Sequence, residues 1–106
     1  MTDWFDVAEE GALGDGEHRV VDVDDAMIIV FNLGGEYFAI EDICTHDGSE
    51  ISSGCVLGEE IECPRHGARF SIRTGEVTAP PAYEAVDTFP VRIEGGRIQV
   101  RDNRWD

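Results

Sequence analysis

Lysine is absent from this chain, and eight arginines stand against 23 acidic residues, a formal net charge of −15. So acidic a protein is repelled by nucleic acid and by anionic membrane surfaces, which argues against both as partners and favours a basic protein. Such acidity also fits simple solubility or a salt-rich habitat, and composition does not separate these readings. Long apolar runs are missing as well, so no segment reads as a membrane-spanning helix. The opening residues, Met1-Thr2-Asp3-Trp4-Phe5-Asp6, are acidic where a secretory signal would be basic and then apolar, and no cleavage site follows. A cytoplasmic location is expected. Three cysteines are an odd number, which a disulfide framework does not use up. Without an export signal, clustered cysteine and histidine point to metal instead. No Gly-x-Gly-x-x-Gly sequence occurs, so a flavin or nicotinamide reductase is out of view.

What is present is a β pattern. At 106 residues, 42% of them hydrophobic, the chain is read as one domain over residues 1–106. Short apolar or alternating runs separated by turn signals predict strands at Arg19–Val23, Met27–Leu33, Tyr37–Ile40, Ile61–Cys63, Arg69–Ile72, Asp87–Ile93 and Arg97–Arg101. Gly34-Gly35 and Gly95-Gly96 each join two runs and supply the positive φ of tight hairpins, and Val56 to Ile61 reads as another hairpin. Residues 7–13 read as a single helical turn, with no helical periodicity elsewhere. Leu13, Val20, Ile28, Val30, Phe38 and Ile40 are core candidates, and Trp4 and Trp105 are read as core or terminus anchors. Cys55 is read as packing or incidental, and His18 as solvated surface.

The chemistry is concentrated in two of the connecting loops. Cys44-Thr45-His46 is followed, after sixteen residues, by Cys63-Pro64-Arg65-His66-Gly67. Each loop offers one thiolate and one imidazole, a soft to borderline set that suits zinc, copper or iron–sulfur and not magnesium or calcium. A zinc finger would pair its cysteines in one place and its histidines in another. Mixing both types in each loop makes sense if the sulfurs fall on one metal and the nitrogens on a second.

On these two motifs the chain resembles the Rieske ferredoxins, electron carriers of bacterial ring-hydroxylating and related oxygenases, and the resemblance covers nearly its whole length. It implies an all-β fold, an antiparallel β-sandwich base carrying a smaller cluster-binding subdomain, here about residues 42–82. It implies one [2Fe–2S] cluster per chain, with Cys44 and Cys63 on the inner iron and His46 and His66 on the outer one. Thr78-Ala79-Pro80-Pro81-Ala82 falls where the family has a proline-containing loop covering the cluster. The implied partners are a ferredoxin reductase and a terminal oxygenase, with basic docking surfaces expected and a monomer expected in isolation.

High-potential relatives carry an extra disulfide between the ligand loops, at positions that Ser49 and Arg65 occupy here. They also place hydroxyls toward sulfur where this chain has Ala68 and Phe70. Fewer hydrogen bonds to sulfur leave the added electron less stabilised, so the potential should lie near the bottom of the Rieske range, roughly −150 mV. A mononuclear iron oxygenase needs two further histidines and a carboxylate. Of the three histidines only His18 would remain, so no oxygenase activity of the chain's own is expected. Two alternatives stay beside the carrier: the Rieske-like small subunit of an assimilatory nitrite reductase, and a structural zinc module for protein interaction.

Overall fold

The computed structural model describes residues 3–45 and 47–104. Within them the chain runs through β1 (Phe5–Glu9), β2 (His18–Val23), β3 (Ala26–Leu33), β4 (Glu36–Glu41), β5 (Cys55–Leu57), β6 (Glu60–Glu62), β7 (Arg69–Ser71), β8 (Val77–Ala79), β9 (Thr88–Phe89), β10 (Val91–Glu94) and β11 (Arg97–Val100). The strands form three antiparallel sheets, ordered β1-β11-β10, β2-β3-β4-β9 and β5-β6-β7-β8. No helix occurs among the described residues, so none there is long and apolar enough to cross a membrane.

Strand β3 explains how the sheets stack. It is nearly unbroken apolar sequence rather than an alternation, because both of its faces are covered. Ile28 and Val30 point into a core shared with Val7, Ile98 and Val100 of the β1-β11-β10 sheet. Ile29 and Phe31 point the other way, into a second core with Ile61 and Phe70 of the β5-β6-β7-β8 sheet. The β2-β3-β4-β9 sheet is therefore the middle layer. All four of these β3 side chains are fully buried, and each contributes on the order of 1.5–3 kcal/mol of hydrophobic stabilisation. This is the expected sandwich base with a further sheet of four three-residue strands laid on its outer face.

Several elements differ from the sequence expectations. Residues 7–13 form no helical turn: Val7 and Ala8 belong to β1, which pairs with β11, and the chain then turns at Gly11 with φ 95°. The run Asp87–Ile93 is two strands, because Pro90 cannot donate to a ladder. Thr88–Phe89 stays on β4, and Val91–Glu94 passes to β11 in another sheet. Val77–Ala79 is a strand, so the proline-containing loop begins at its end. Leu13, Ile28, Val30 and Ile40 are buried as expected, while Val20 and Phe38 are half-buried against the second core. His18 is not simply solvated: its ring lies 5.4 Å from that of Phe31. Trp4 is half-buried under the Arg92 guanidinium, 4.4 Å from the ring centre, and Trp105 lies outside the described residues.

Candidate metal centre

The two loops leave the middle and outer sheets side by side. The first begins where β4 ends. Its root is fixed by Asp42, whose backbone N–H donates to Met27 O (2.8 Å) and whose Oδ1 accepts from the backbone N–H groups of Ile51 (2.8 Å) and Ser52 (2.9 Å). One carboxylate oxygen thus closes an eleven-residue excursion, 42–52, and draws Ile51 into the second core, where it is fully buried. The second loop is the short connection between β6 and β7. Glu62 and Arg69, a cross-strand pair, clamp its base through Arg69 Nε to Glu62 Oε2 at 2.9 Å. Gly54, between the loops, passes so close to β6 that a Cβ there would stand 1.8 Å from Glu62 O, so only glycine fits.

Inside the loops the backbone follows the same plan twice. The Cys44 N–H donates to Ser49 O and the Gly48 N–H donates to Cys44 O, both at 2.7 Å. The Cys63 N–H donates to Ala68 O (2.7 Å) and the Gly67 N–H donates to Cys63 O (3.1 Å). Each loop is a six-residue unit that starts at a cysteine and reverses at a glycine four residues on, with φ 77° in both. The left-handed conformation at that point is what glycine permits. The repeated Cys-x-x-x-Gly is visible in the sequence, beneath Cys-to-His spacings that differ between the loops.

Within this plan the thiols and imidazoles are sorted by depth. Cys44 and Cys63 are 0% and 1% exposed and belong to the same core cluster as Ile51, Ile61, Ala68 and Phe70. The His66 side chain is 51% exposed, with its Nδ1 3.6 Å from Asp47 Oδ2. Asp47 belongs to the first loop, where its Oδ1 accepts from Ser49 N–H (3.0 Å) and Ser49 Oγ (2.6 Å), so this contact joins one loop to the other. Spacing alone could not have revealed it. His46 lies outside the described residues. The proline-containing loop is tied on by Thr45 Oγ1, which donates to Glu84 O at 2.6 Å, and its Ala82 is buried in the cysteine core. Cys55 opens β5 and is exposed, so of packing or incidental placement the structure excludes packing, and the three cysteines form no disulfide.

Among the described residues no three Cys, His, Asp or Glu side chains form a ready-made metal cage. The donor chemistry nevertheless fits a mixed cluster. Two buried thiols in one apolar core suit sulfur ligands to an inner metal, and an imidazole at the surface suits an outer one.

Comparison with known proteins bears on this arrangement. The Rieske [2Fe–2S] domain model matches residues 3–90. The chain is 33% identical over 97 residues to the ferredoxin component of the naphthalene 1,2-dioxygenase system of Pseudomonas aeruginosa, covering 92% of this chain and 93% of that protein. It is 40% identical over 90 residues to the biphenyl dioxygenase ferredoxin subunit of Pseudomonas sp. (strain KKS102), covering 84% and 83%. A solved complex of reduced oxygenase and oxidised ferredoxin in carbazole 1,9a-dioxygenase contains a chain similar to this one, with TM-score 0.87 and 32% identity over 92% of each.

Proposed function

Because this chain belongs to the Rieske [2Fe–2S] domain family, we infer that it is a one-electron carrier, the ferredoxin component that takes electrons from a reductase and delivers them to a terminal oxygenase. The observation that carries this reading is the sorting of two buried cysteines and an exposed histidine onto two loops of one backbone plan. In this reading Cys44 and Cys63 hold the inner iron, and His46 and His66 hold the outer one. When bound, the cluster supplies a single-electron couple without any substrate chemistry of its own.

The chain's residues do the rest. The apolar cluster around Cys44 and Cys63 keeps water from the thiolates, while the exposed His66 edge offers the shortest route from cluster to partner. The acidic body, with a formal net charge of −15, is suited to partners with basic docking surfaces. A complete Cys/His set also weighs against a nitrite reductase small subunit, many of which lack the ligands. The cytoplasm is the compartment this role implies.

The test is direct. Purified protein should carry about two irons and two acid-labile sulfides per chain, and the reduced form should give a Rieske-type electron paramagnetic resonance spectrum. Stoichiometric zinc in protein made with ample iron would replace the carrier by a structural module.

A further inference from the structure

The arginines of this chain are almost all engaged. Arg69, Arg73, Arg97 and Arg104 pair with carboxylates, Arg92 lies over Trp4 and donates to Gln99, and Arg19 donates to Val7 O. Arg101 has a partner as well. Arg65 differs. Among the described residues it makes no hydrogen bond, ion pair or ring contact, although the sequence offers 23 acidic side chains. It is exposed, and it stands at the tip of the second loop between buried Cys63 and exposed His66. Arg65 therefore presents an unneutralised guanidinium beside the point where, on the function inferred above, the electron leaves. The proline-containing loop presents Tyr83 at 89% exposure, next to the Glu84 carbonyl that Thr45 of the first loop holds.

We propose that Arg65 is a docking residue that receives a carboxylate of the electron-transfer partner, so that the contact face, which also holds Asp47 beside His66, carries an unpaired positive charge within an otherwise acidic molecule. A guanidinium is a rigid fork matched to a carboxylate and is weakly hydrated, which suits it to a contact that excludes water. Arginine is also among the residue types that most often anchor interfaces. The acidic body acts over long range and is screened by salt, whereas a contact pair at Arg65 acts only once the surfaces meet. The partner surface that fits has a basic rim and an acid at its centre. That mosaic would also reject a uniformly basic surface, because Arg65 would meet a like charge.

The proposal rests on His66 being an outer ligand, and its test is chosen to fail separately from that reading. Reduced, cluster-loaded protein is mixed in stopped flow with two small oxidants of opposite charge. One is tris(oxalato)cobaltate(III), an anion clad in carboxylates, and the other is hexaammineruthenium(III), a cation. At low ionic strength Arg65→Gln should slow the first reaction and speed the second, each by about threefold, and high salt should erase both changes. A change in midpoint potential would move both rates in the same direction, whereas any lost surface charge moves them apart, so shifts larger than those of Arg92→Gln, on the far sheet, are what place the charge at the contact. Arg65→Lys, which keeps the charge, should keep both rates. Parallel shifts or no shift in Arg65→Gln with its spectrum intact would overturn the proposal, as would a Lys variant that behaves like the Gln one. A wild-type protein with no Rieske spectrum would instead overturn the carrier function itself.

Discussion

Ala68 and Phe70 are the residues in this site where one atom should matter most. Both are fully buried in the core that contains Cys44 and Cys63. A hydroxyl placed there has few acceptors other than sulfur, and burying it without a partner costs about 1–3 kcal/mol. Ala68→Ser and Phe70→Tyr should therefore each raise the midpoint potential, measured by protein-film voltammetry, with little loss of stability. An unchanged potential together with a lowered melting temperature would mean that the hydroxyl misses the cluster. The same logic separates the cysteines. Exposed Cys55→Ser should leave the Rieske spectrum intact, whereas His66→Ala or His46→Ala should abolish it. Loss of the spectrum in Cys55→Ser would reverse the ligand assignment.

At the scale of elements, the loops are held from a distance by the segment after β11. Arg104 donates through Nη2 to the buried Asp102 Oδ2 (3.0 Å), and its Nη1 reaches Glu41 Oε2 (3.2 Å) and Asp87 Oδ2 (3.3 Å). Its guanidinium lies 5.1 Å from the centre of the Phe89 ring. Glu41 is the last residue before the first ligand loop, and Asp87 ends the loop that covers it, so one side chain pins both roots. The hydrogen bonds from Arg104 hold the Asp102 carboxyl below the ordinary carboxylate range against the opposing effect of burial, and the same partners raise the Arg104 pKa. The sign follows: this stabilisation is complete above the ordinary carboxylate pKa and is lost as pH falls through the lowered one. Asp102→Asn should cost about 3 kcal/mol at neutral pH and flatten the acid limb of the stability profile, as denaturant titrations across pH would measure. Little of this clamp could be read from the sequence. The two Cys/His pairs stand out in the sequence because their spacing is local, and β3 because its run of apolar residues is long. By contrast β1 needs a partner some ninety residues away, and Pro90 marks a change of sheet only once both sheets are known. Contacts such as Asp47 with His66 arise from folding alone.

Charge is unevenly shared along the chain. Residues 1–42 contain twelve acids and one arginine, a net of −11, while residues 44–73 contain five acids and three arginines, a net of −2. With the basic docking surface proposed above, electron transfer should slow as ionic strength rises, through the association step, because steering is screened beyond about 8–10 Å at physiological salt. Asp22, Asp24 and Asp25 are exposed around the β2–β3 turn, at the end of the sheet from which the first ligand loop departs. Asp24 and Asp25 have φ of 47° and 71°, a conformation that asparagine tolerates better than lysine, so neutralisation to Asn is the sound way to remove their charge. Together with Asp22→Asn, it should weaken the salt dependence and leave the spectrum unchanged. A second-order rate constant that is flat from low to high salt would leave the acidity to solubility or habitat. Strand β3 has a further consequence at this scale. Its odd and even side chains belong to different cores, so the β5-β6-β7-β8 sheet has no floor of its own that could survive alone. Melting of the base and release of iron should then be a single event, with circular dichroism and cluster absorbance falling together on heating. Truncation to residues 42–82 should yield no iron-binding fragment, and the amide protons of β3 should be the last to exchange on either side of the molecule.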